Sequence, residues 1–187
     1  MYSFKAFLIL TEGIHDKGLF KAVFLAGGPG SGKDFVKKEV LEGHGLKEIN
    51  SDIPFEYYLR KRNLSLTMPD NEKQERDTVR DQAVRLSEPL NHYSVRNRHG
   101  IIINGTGANP EHVQHIKNHL ESLGYSNHMV MVNTDNDTSR QRNIMRGQAG
   151  GRSVPENIRQ NKWNEVQSAK EKYKDMFGQN YNEVNNS

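Results

Sequence analysis

The sequence predicts an α/β domain in which a parallel sheet carries helices on both faces. Three observations lead there. Short apolar runs alternate with stretches of helical periodicity along the chain, the order expected of strands joined by crossover helices. Gly100-Ile101-Ile102-Ile103-Asn104 is apolar without interruption, as a strand covered on both faces must be, and is the best candidate for a central strand. Between the run Lys21-Ala22-Val23-Phe24-Leu25-Ala26 and the helical stretch Phe35–Leu41 lies Gly27-Gly28-Pro29-Gly30-Ser31-Gly32-Lys33-Asp34, a glycine loop joining strand to helix. At 187 residues the chain suits a single core, burying roughly two thirds of the surface its unfolded form exposes.

Residues 1–20 read as an arm laid on the core before the first strand, or as a docking element for a protein partner; residues 21–187 form the domain. The first helix is expected from Ser31 to about Glu42, ending at Gly43-His44-Gly45, where glycine supplies a left-handed terminus. Lys47-Glu48-Ile49-Asn50 is the second strand, with Asp52 just past its end. A short helix over Tyr57–Arg62 precedes the break at Thr67-Met68-Pro69. From Asp70 to His92, Val79, Ala83, Leu86 and Leu90 recur as one helical stripe.

After the third strand, Asn109-Pro110-Glu111 opens a helix with a cap residue, a first-turn proline and an acid, and Val113, Ile116, Leu120 and Leu123 give it a buried side. His128–Asn133 is the fourth strand. An arginine-rich helix starts at Asp137 and dissolves at Gly147–Gly151. Ser153-Val154-Pro155-Glu156 has capping-box spacing ahead of a long helix with inner residues Ile158, Trp163, Val166, Tyr173 and Phe177. Tyr181-Asn182-Glu183-Val184 is a short last strand.

Composition excludes several classes. There is no cysteine, which removes disulfides, thiolate chemistry and cysteine-ligated zinc. A net charge of +3 is too mild to argue for nucleic acid or an anionic membrane. Phe4–Leu10 is too short for a secretory apolar region, and no stretch resembles a membrane span, so a cytoplasmic protein is expected.

The glycine loop meets the pattern G-x-x-x-x-G-K-S/T at Gly27, Gly32 and Lys33 and breaks it at Asp34. Backbone N–H groups of Gly27, Gly28, Gly30, Ser31 and Gly32, with Pro29 between them, can wrap a phosphate chain only where side chains are absent. The following helix then aims its positive end at the anion. Lys33 reaches the outer phosphates. A hydroxyl at 34 would help hold Mg²⁺; Asp34 either contacts the metal, balances the helix start, or marks lost metal-dependent chemistry. Asp52, where open parallel sheets place their ligands, can take the proton of an attacking hydroxyl, or can merely cap the helix that follows. Asn104 stands where many such enzymes carry a metal-binding aspartate and cannot neutralise charge. Arg140, Arg142, Arg146 and Arg152 have no acid among them. They form either a solvated face or a lid over 140–152 that closes on phosphates, with Arg142 at the nucleotide and Arg146 and Arg152 at the transferred group. The histidines 112, 115 and 119 read as a polar flank rather than a metal site. Tyr57–Arg62 is an ordinary surface helix or a stacking surface for an anionic substrate.

Together, these residues resemble the P-loop small-molecule and polynucleotide kinases, and most closely the zeta-toxin-like branch. The likeness covers Phe20 to Phe177 and rests on the P-loop, on Ile49-Asn50-Ser51-Asp52, on the arginine helix and on Gly151-Arg152-Ser153-Val154-Pro155. It implies a three-layer P-loop NTPase fold with a five-stranded sheet in the order 2-3-1-4-5. It further implies Asp52 as catalytic base, Arg146 and Arg152 as phosphate-binding lid residues, ATP or GTP as donor with Mg²⁺, and a hydroxyl-bearing acceptor. Nucleotide sugars, nucleosides or nucleotides, and nucleic-acid ends stay open as that acceptor. The alternative from another class is a nucleotide-binding interaction protein with weak or no kinase activity, supported by Asp34 and Asn104.

Overall fold

The computed structural model describes residues 20–187. The expected arm over 1–20 lies, apart from Phe20, outside the described residues. Strands β1 (Lys21–Ala26), β2 (Lys47–Ile49), β3 (Ile101–Asn104), β4 (Ser126–Asn133) and β5 (Tyr181–Asn185) form one all-parallel sheet in the order β2-β3-β1-β4-β5. This is the implied order, with one adjustment. β3 is interior, but the middle place belongs to β1, whose six residues are all buried while the last two of β3 are only partly so.

The helices are α1 (Lys33–Val36, continued by a π-helical turn over Lys37–Leu41), α2 (Asp52–Lys61), α3 (Lys73–Arg96), α4 (Pro110–Ser122), α5 (Asn136–Gln148) and α6 (Glu156–Phe177). Alternation along β1 builds a core on each side of the sheet. Ala22, Phe24 and Ala26 pack with Met129, Met131, Leu120, Val166, Tyr173 and Phe177. Val23 and Leu25 pack with Val130, Val132, Val36 and Leu41. A third cluster, including Phe55, Leu59, Val79 and Ala83, clamps α2 to α3. The cap read at Asn109 is present, its Oδ1 accepting from His112 N at 3.0 Å.

Several local expectations are corrected. The first helix starts at Lys33, because Gly32 at φ 81° is left-handed. The α3 stripe fails at its second half: Val79 and Ala83 are buried, but Leu86 and Leu90 are 48% and 45% exposed. Its partner α2 runs out, since a helix of 10 residues against one of 24 spans about 15 Å against about 36 Å. Leu123, also expected inside, lies just beyond the last turn of α4 and is exposed. Helix α5 starts at Asn136, one residue before the expected Asp137, with Asp135 as its cap accepting from Thr138 N at 2.7 Å.

The capping box at Ser153 does not form. Pro155 takes the cap position, and the Glu156 carboxylate instead accepts from Arg159 Nε and Nη2, both at 2.8 Å. Arg159 is fully buried while neighbouring Ile158, expected inside, is exposed. The inward guanidinium is matched by acceptors: Ser139 Oγ at 2.9 Å, Asn136 Oδ1 at 2.9 Å and Gln160 Oε1 at 2.7 Å complete its partners. It thereby ties α6 to the first turn of α5. Replacing Arg159 with alanine empties a packed site and orphans those acceptors, so Arg159→Ala is expected to cost about 3 kcal/mol in urea unfolding. A loss below about 1 kcal/mol would show that the network contributes little.

Candidate active site

Because every strand runs the same way, the carboxyl ends of β1, β2 and β3 meet at one edge of the sheet, where α/β folds bind ligands. The glycine loop leaves β1 there and is fixed from two sides. Gly27 N donates to Thr106 O at 3.0 Å, joining it to the loop after β3. Ser139 Oγ donates to Pro29 O at 2.7 Å, and a Cβ on Gly30, whose φ is +75°, would run into the Ser139 carbonyl oxygen. Glycine is therefore required where the loop presses on α5. Trp163 of α6 lies behind Gly28 and donates its indole N–H to Thr134 O at 3.0 Å.

Lys33 turns back into this loop, its Nζ donating to Gly27 O at 2.6 Å and Gly28 O at 3.4 Å. Burial pulls its pKa down to about 8, with Asp34 and Asp52 acting against that fall. Ser31 Oγ is buried with no hydrogen-bond partner among the described residues. A half-satisfied ammonium and an orphaned hydroxyl inside a glycine cradle match a polyphosphate, which would supply acceptors to both.

Asp52 is the first residue of α2, and its backbone N–H is taken by Asn50 Oδ1 at 2.8 Å. Its carboxylate does not cap the helix. Oδ1 accepts from Arg80 Nη1 at 2.5 Å, and Arg152 donates from Nη2 to Oδ2 at 2.9 Å and from Nη1 to Oδ1 at 3.4 Å. Burial works to raise the Asp52 pKa, but Arg152 and Arg80 outweigh it and hold the carboxyl below the usual carboxylate range. Phe55, buried one turn along α2, carries both guanidinium groups over its ring at 5.0 Å and 5.5 Å.

Pro29 through Asp34, Asp52, Arg146 and Arg152 line one cavity of about 510 Å³, together with Arg80, Asn104, Thr106 and Lys162. A neighbouring cavity of about 390 Å³ shares Lys33, Asp52, Arg80 and Asn104 with it. Phe24, Ile103, Val113 and Met129 give this second space an apolar side, and Asn109 and His112 a polar one. Arg146, Gly151 and Arg152 bring both ends of the segment between α5 and α6 to the first cavity. Ser153 N donates to Leu66 O at 3.0 Å, and Asn143 exchanges two hydrogen bonds with Val154, at 2.7 Å and 2.9 Å.

Other sequence-derived residues are placed differently. Gly27 and Gly28 shape the loop without lining either cavity. Arg142 lies on the outer flank, donating to Asn186 O at 2.6 Å beside Gly32. Asp34 stands at the rim with its side chain 77% exposed, 3.8 Å from Lys37 Nζ. Tyr57–Arg62 lines neither cavity: Arg60 pairs with Glu56 and Arg62 with Gln82. His112 reaches the second cavity, whereas His115 and His119 face a groove between α3 and α4. Among the described residues no group of three or more histidine or acidic side chains is arranged to hold a metal, and no helix is long and apolar enough to cross a membrane.

Sequence reasoning missed Arg80, Lys162 and Glu48. Arg80 offered little signal, as one charge among many on α3, although it follows the buried Val79. Glu48 had none. It reaches across from β2 to accept from Asn104 Nδ2 at 2.8 Å and Lys37 Nζ at 2.8 Å, so a carboxylate does stand beside the neutral Asn104. Lysine, asparagine and carboxylate there satisfy one another, and these hydrogen bonds, outweighing burial, keep Glu48 ionised below its ordinary range.

The sheet order, the glycine loop with its lysine and the cation-lined cleft beyond it define the class of P-loop kinases. Among solved structures, a candidate kinase from Chloroflexus aurantiacus is 12% identical, with a TM-score of 0.60 over 92% of this chain and 87% of its own. The PezAT toxin–antitoxin system of Streptococcus pneumoniae contains a chain 18% identical, with a TM-score of 0.58 over 78% of this chain and 60% of its own. A chain of the Pnkp1/Rnl/Hen1 RNA repair complex is 16% identical, with a TM-score of 0.62 over 87% of this chain and 49% of its own. At these identities the likeness is one of fold. No curated protein sequence is similar to the chain at a significant level. The Zeta toxin family model matches residues 11–184, and the chain belongs to that family.

The state of Lys33 is directly measurable. An NMR titration of its side chain should give an apparent pKa near 8, against 10.5 for an unperturbed lysine. A value close to 10.5 would mean that the ammonium is solvated and the loop more open than described.

Proposed function

We propose that this chain transfers the γ-phosphoryl group of ATP or GTP to a hydroxyl of an acceptor. The observation that carries the reading is convergence: Lys33, Asp52, Arg146 and Arg152, drawn from four separate segments, line one cavity beneath the glycine loop. The loop amides and Lys33 hold the phosphates. The acceptor occupies the adjoining cavity, where its hydroxyl meets Asp52 at the boundary of the two spaces. The hydroxyl oxygen forms a bond to the γ-phosphorus as the bond to the β–γ bridging oxygen breaks. That electron pair leaves with the nucleoside diphosphate, and the hydroxyl proton passes to Asp52. Arg146 and Arg152 offset charge on the transferred group.

Mg²⁺ fits this arrangement in a reduced form. It commonly takes one or two carboxylates and completes its shell with phosphates and water, and Asp34 at the rim is a largely exposed carboxylate whose ion pair with Lys37 is long, at 3.8 Å. When bound, the ion neutralises phosphate charge. The volume of the second cavity and its apolar side support a small molecule or nucleotide as acceptor, in preference to a nucleic-acid end.

The test is transfer of label from γ-labelled ATP and GTP to a panel of sugars, nucleotides, nucleotide sugars and 5′-hydroxyl RNA and DNA ends. A labelled small acceptor is expected, with Lys33→Ala slowing its formation on the order of 100-fold. Binding of nucleotide without any labelled product would favour the non-catalytic interaction protein, and an unchanged rate in Lys33→Ala would remove the P-loop from the chemistry.

The pKa of Lys33 sets a pH dependence with a definite sign. Only its charged form attracts phosphate, and in the free protein that form is lost as pH rises through about 8. Affinity for ATP is therefore expected to fall between pH 7 and pH 9, roughly the region of that titration, with proton uptake on binding at the upper end. Calorimetry in buffers of different ionisation enthalpy measures both, and a flat affinity without proton uptake would contradict the assignment.

A further inference from the structure

Asp52 is more heavily engaged than a waiting base should be. Its two oxygens receive three guanidinium contacts, from Arg152 at 2.9 Å and 3.4 Å and from Arg80 at 2.5 Å. A carboxylate so held has little room to receive a hydroxyl proton, so one arginine must leave before transfer. The two are not equivalent. Arg152 lines only the phosphate cavity, whereas Arg80 lines both cavities. Arg152 sits on a loop behind Gly150 and Gly151, while Arg80 projects from within the 24-residue helix α3, one residue after the fully buried Val79. A triphosphate carries several negative charges and planar pairs of oxygens suited to a guanidinium fork, so it outcompetes a single carboxylate for Arg152.

We propose that Arg80 is the positioning residue of Asp52, and that the Asp52–Arg152 ion pair is a resting contact which nucleotide phosphates replace. The nucleotide draws Arg152 onto its phosphates. Asp52 keeps Arg80, and the oxygen that Arg152 vacates turns to the acceptor. Phe55 makes the exchange local, since its ring supports both guanidinium groups and Arg152 can shift while Arg80 stays seated. The order of binding follows: nucleotide first, acceptor second. This inference rests on the kinase reading and deepens it, because it names what the donor does to the base.

The exchange is tested without knowing the acceptor, using the non-hydrolysable analogue AMP-PNP with Mg²⁺ and isothermal calorimetry on the full chain. Asp52→Asn keeps the shape of the side chain and removes its hold on Arg152. It should bind the analogue roughly 2- to 5-fold more tightly than the parent, as expected from releasing one partly exposed ion pair. Arg152→Ala should bind more weakly, and adding Asp52→Asn to it should bring no gain. Unchanged or weaker binding by Asp52→Asn, or the same gain without Arg152, would overturn the exchange. A parent protein that does not bind the analogue would overturn the kinase reading itself, which separates the two failures.

The role of Arg80 is read by following the ¹³C carboxyl signal of Asp52 through a pH titration. The charged groups about it are Arg80 from α3, Arg152 from the loop before α6 and Lys33 from α1, with Asp34, Lys37, Glu56, Arg146 and Lys162 on the same cavity wall. Arg80→Ala should move the Asp52 titration upward, further with AMP-PNP bound than without, because Arg152 has then gone. Arg80→Lys should restore part of the shift. An equal shift in both states would overturn the assignment, as would none; circular dichroism of each variant confirms that it is folded.

Discussion

The structure turns on one poorly compensated charge. Lys33 carries an ammonium into the bottom of a glycine loop where two loop carbonyls are its hydrogen-bond acceptors. Withdrawing a cation from water with so little compensation is unfavourable, and the depressed pKa expresses it. Such a residue can be held there only by a loop that cannot relax outward. Pro29 is tied to Ser139 and Gly30 is pressed onto the same residue's carbonyl. Ser139 is in turn held by Arg159, and α6, which carries Arg159, is anchored in the main core through Val166, Tyr173 and Phe177. A line of contacts thus runs from the hydrophobic core to the ammonium.

The rest of the cleft follows from the same imbalance. Lys33, Arg80, Arg146 and Arg152 surround a space in which Asp52 is the best-placed counter-charge, and Asp52 is shared between two of them. A site of this kind is incomplete without an anion. Polyphosphate supplies acceptors for the lysine, for the orphaned Ser31 hydroxyl and for the lid arginines in one molecule. The carboxylate is then released from part of its structural duty and becomes available for chemistry.

Much of this was legible because it is local. A glycine loop between an apolar run and a helix is written in consecutive residues, and so are the Asn109 cap and the continuous apolar run of β3. Strand order came by resemblance, since nothing in periodicity says which strands are neighbours. What stayed hidden depends on distant pairing. Arg80 meets Asp52 across 28 positions, and on α3 it reads as an ordinary solvated charge. Leu86 and Leu90 fit the helical stripe perfectly well, yet α2 is too short to cover them. Arg159 reads as surface and Ile158 as core, and five acceptors gathered from two helices reverse that order. Ser153 and Glu156 had the spacing of a capping box, but Glu156 had a better partner.

The most direct measurement is a crystal structure of the chain with AMP-PNP and Mg²⁺. The γ-phosphate is expected between Lys33 and Arg152, with Lys33 lifted from the carbonyls of Gly27 and Gly28 and Asp52 facing the phosphorus from the side of the second cavity. An analogue whose phosphates lie away from Lys33 would contradict it.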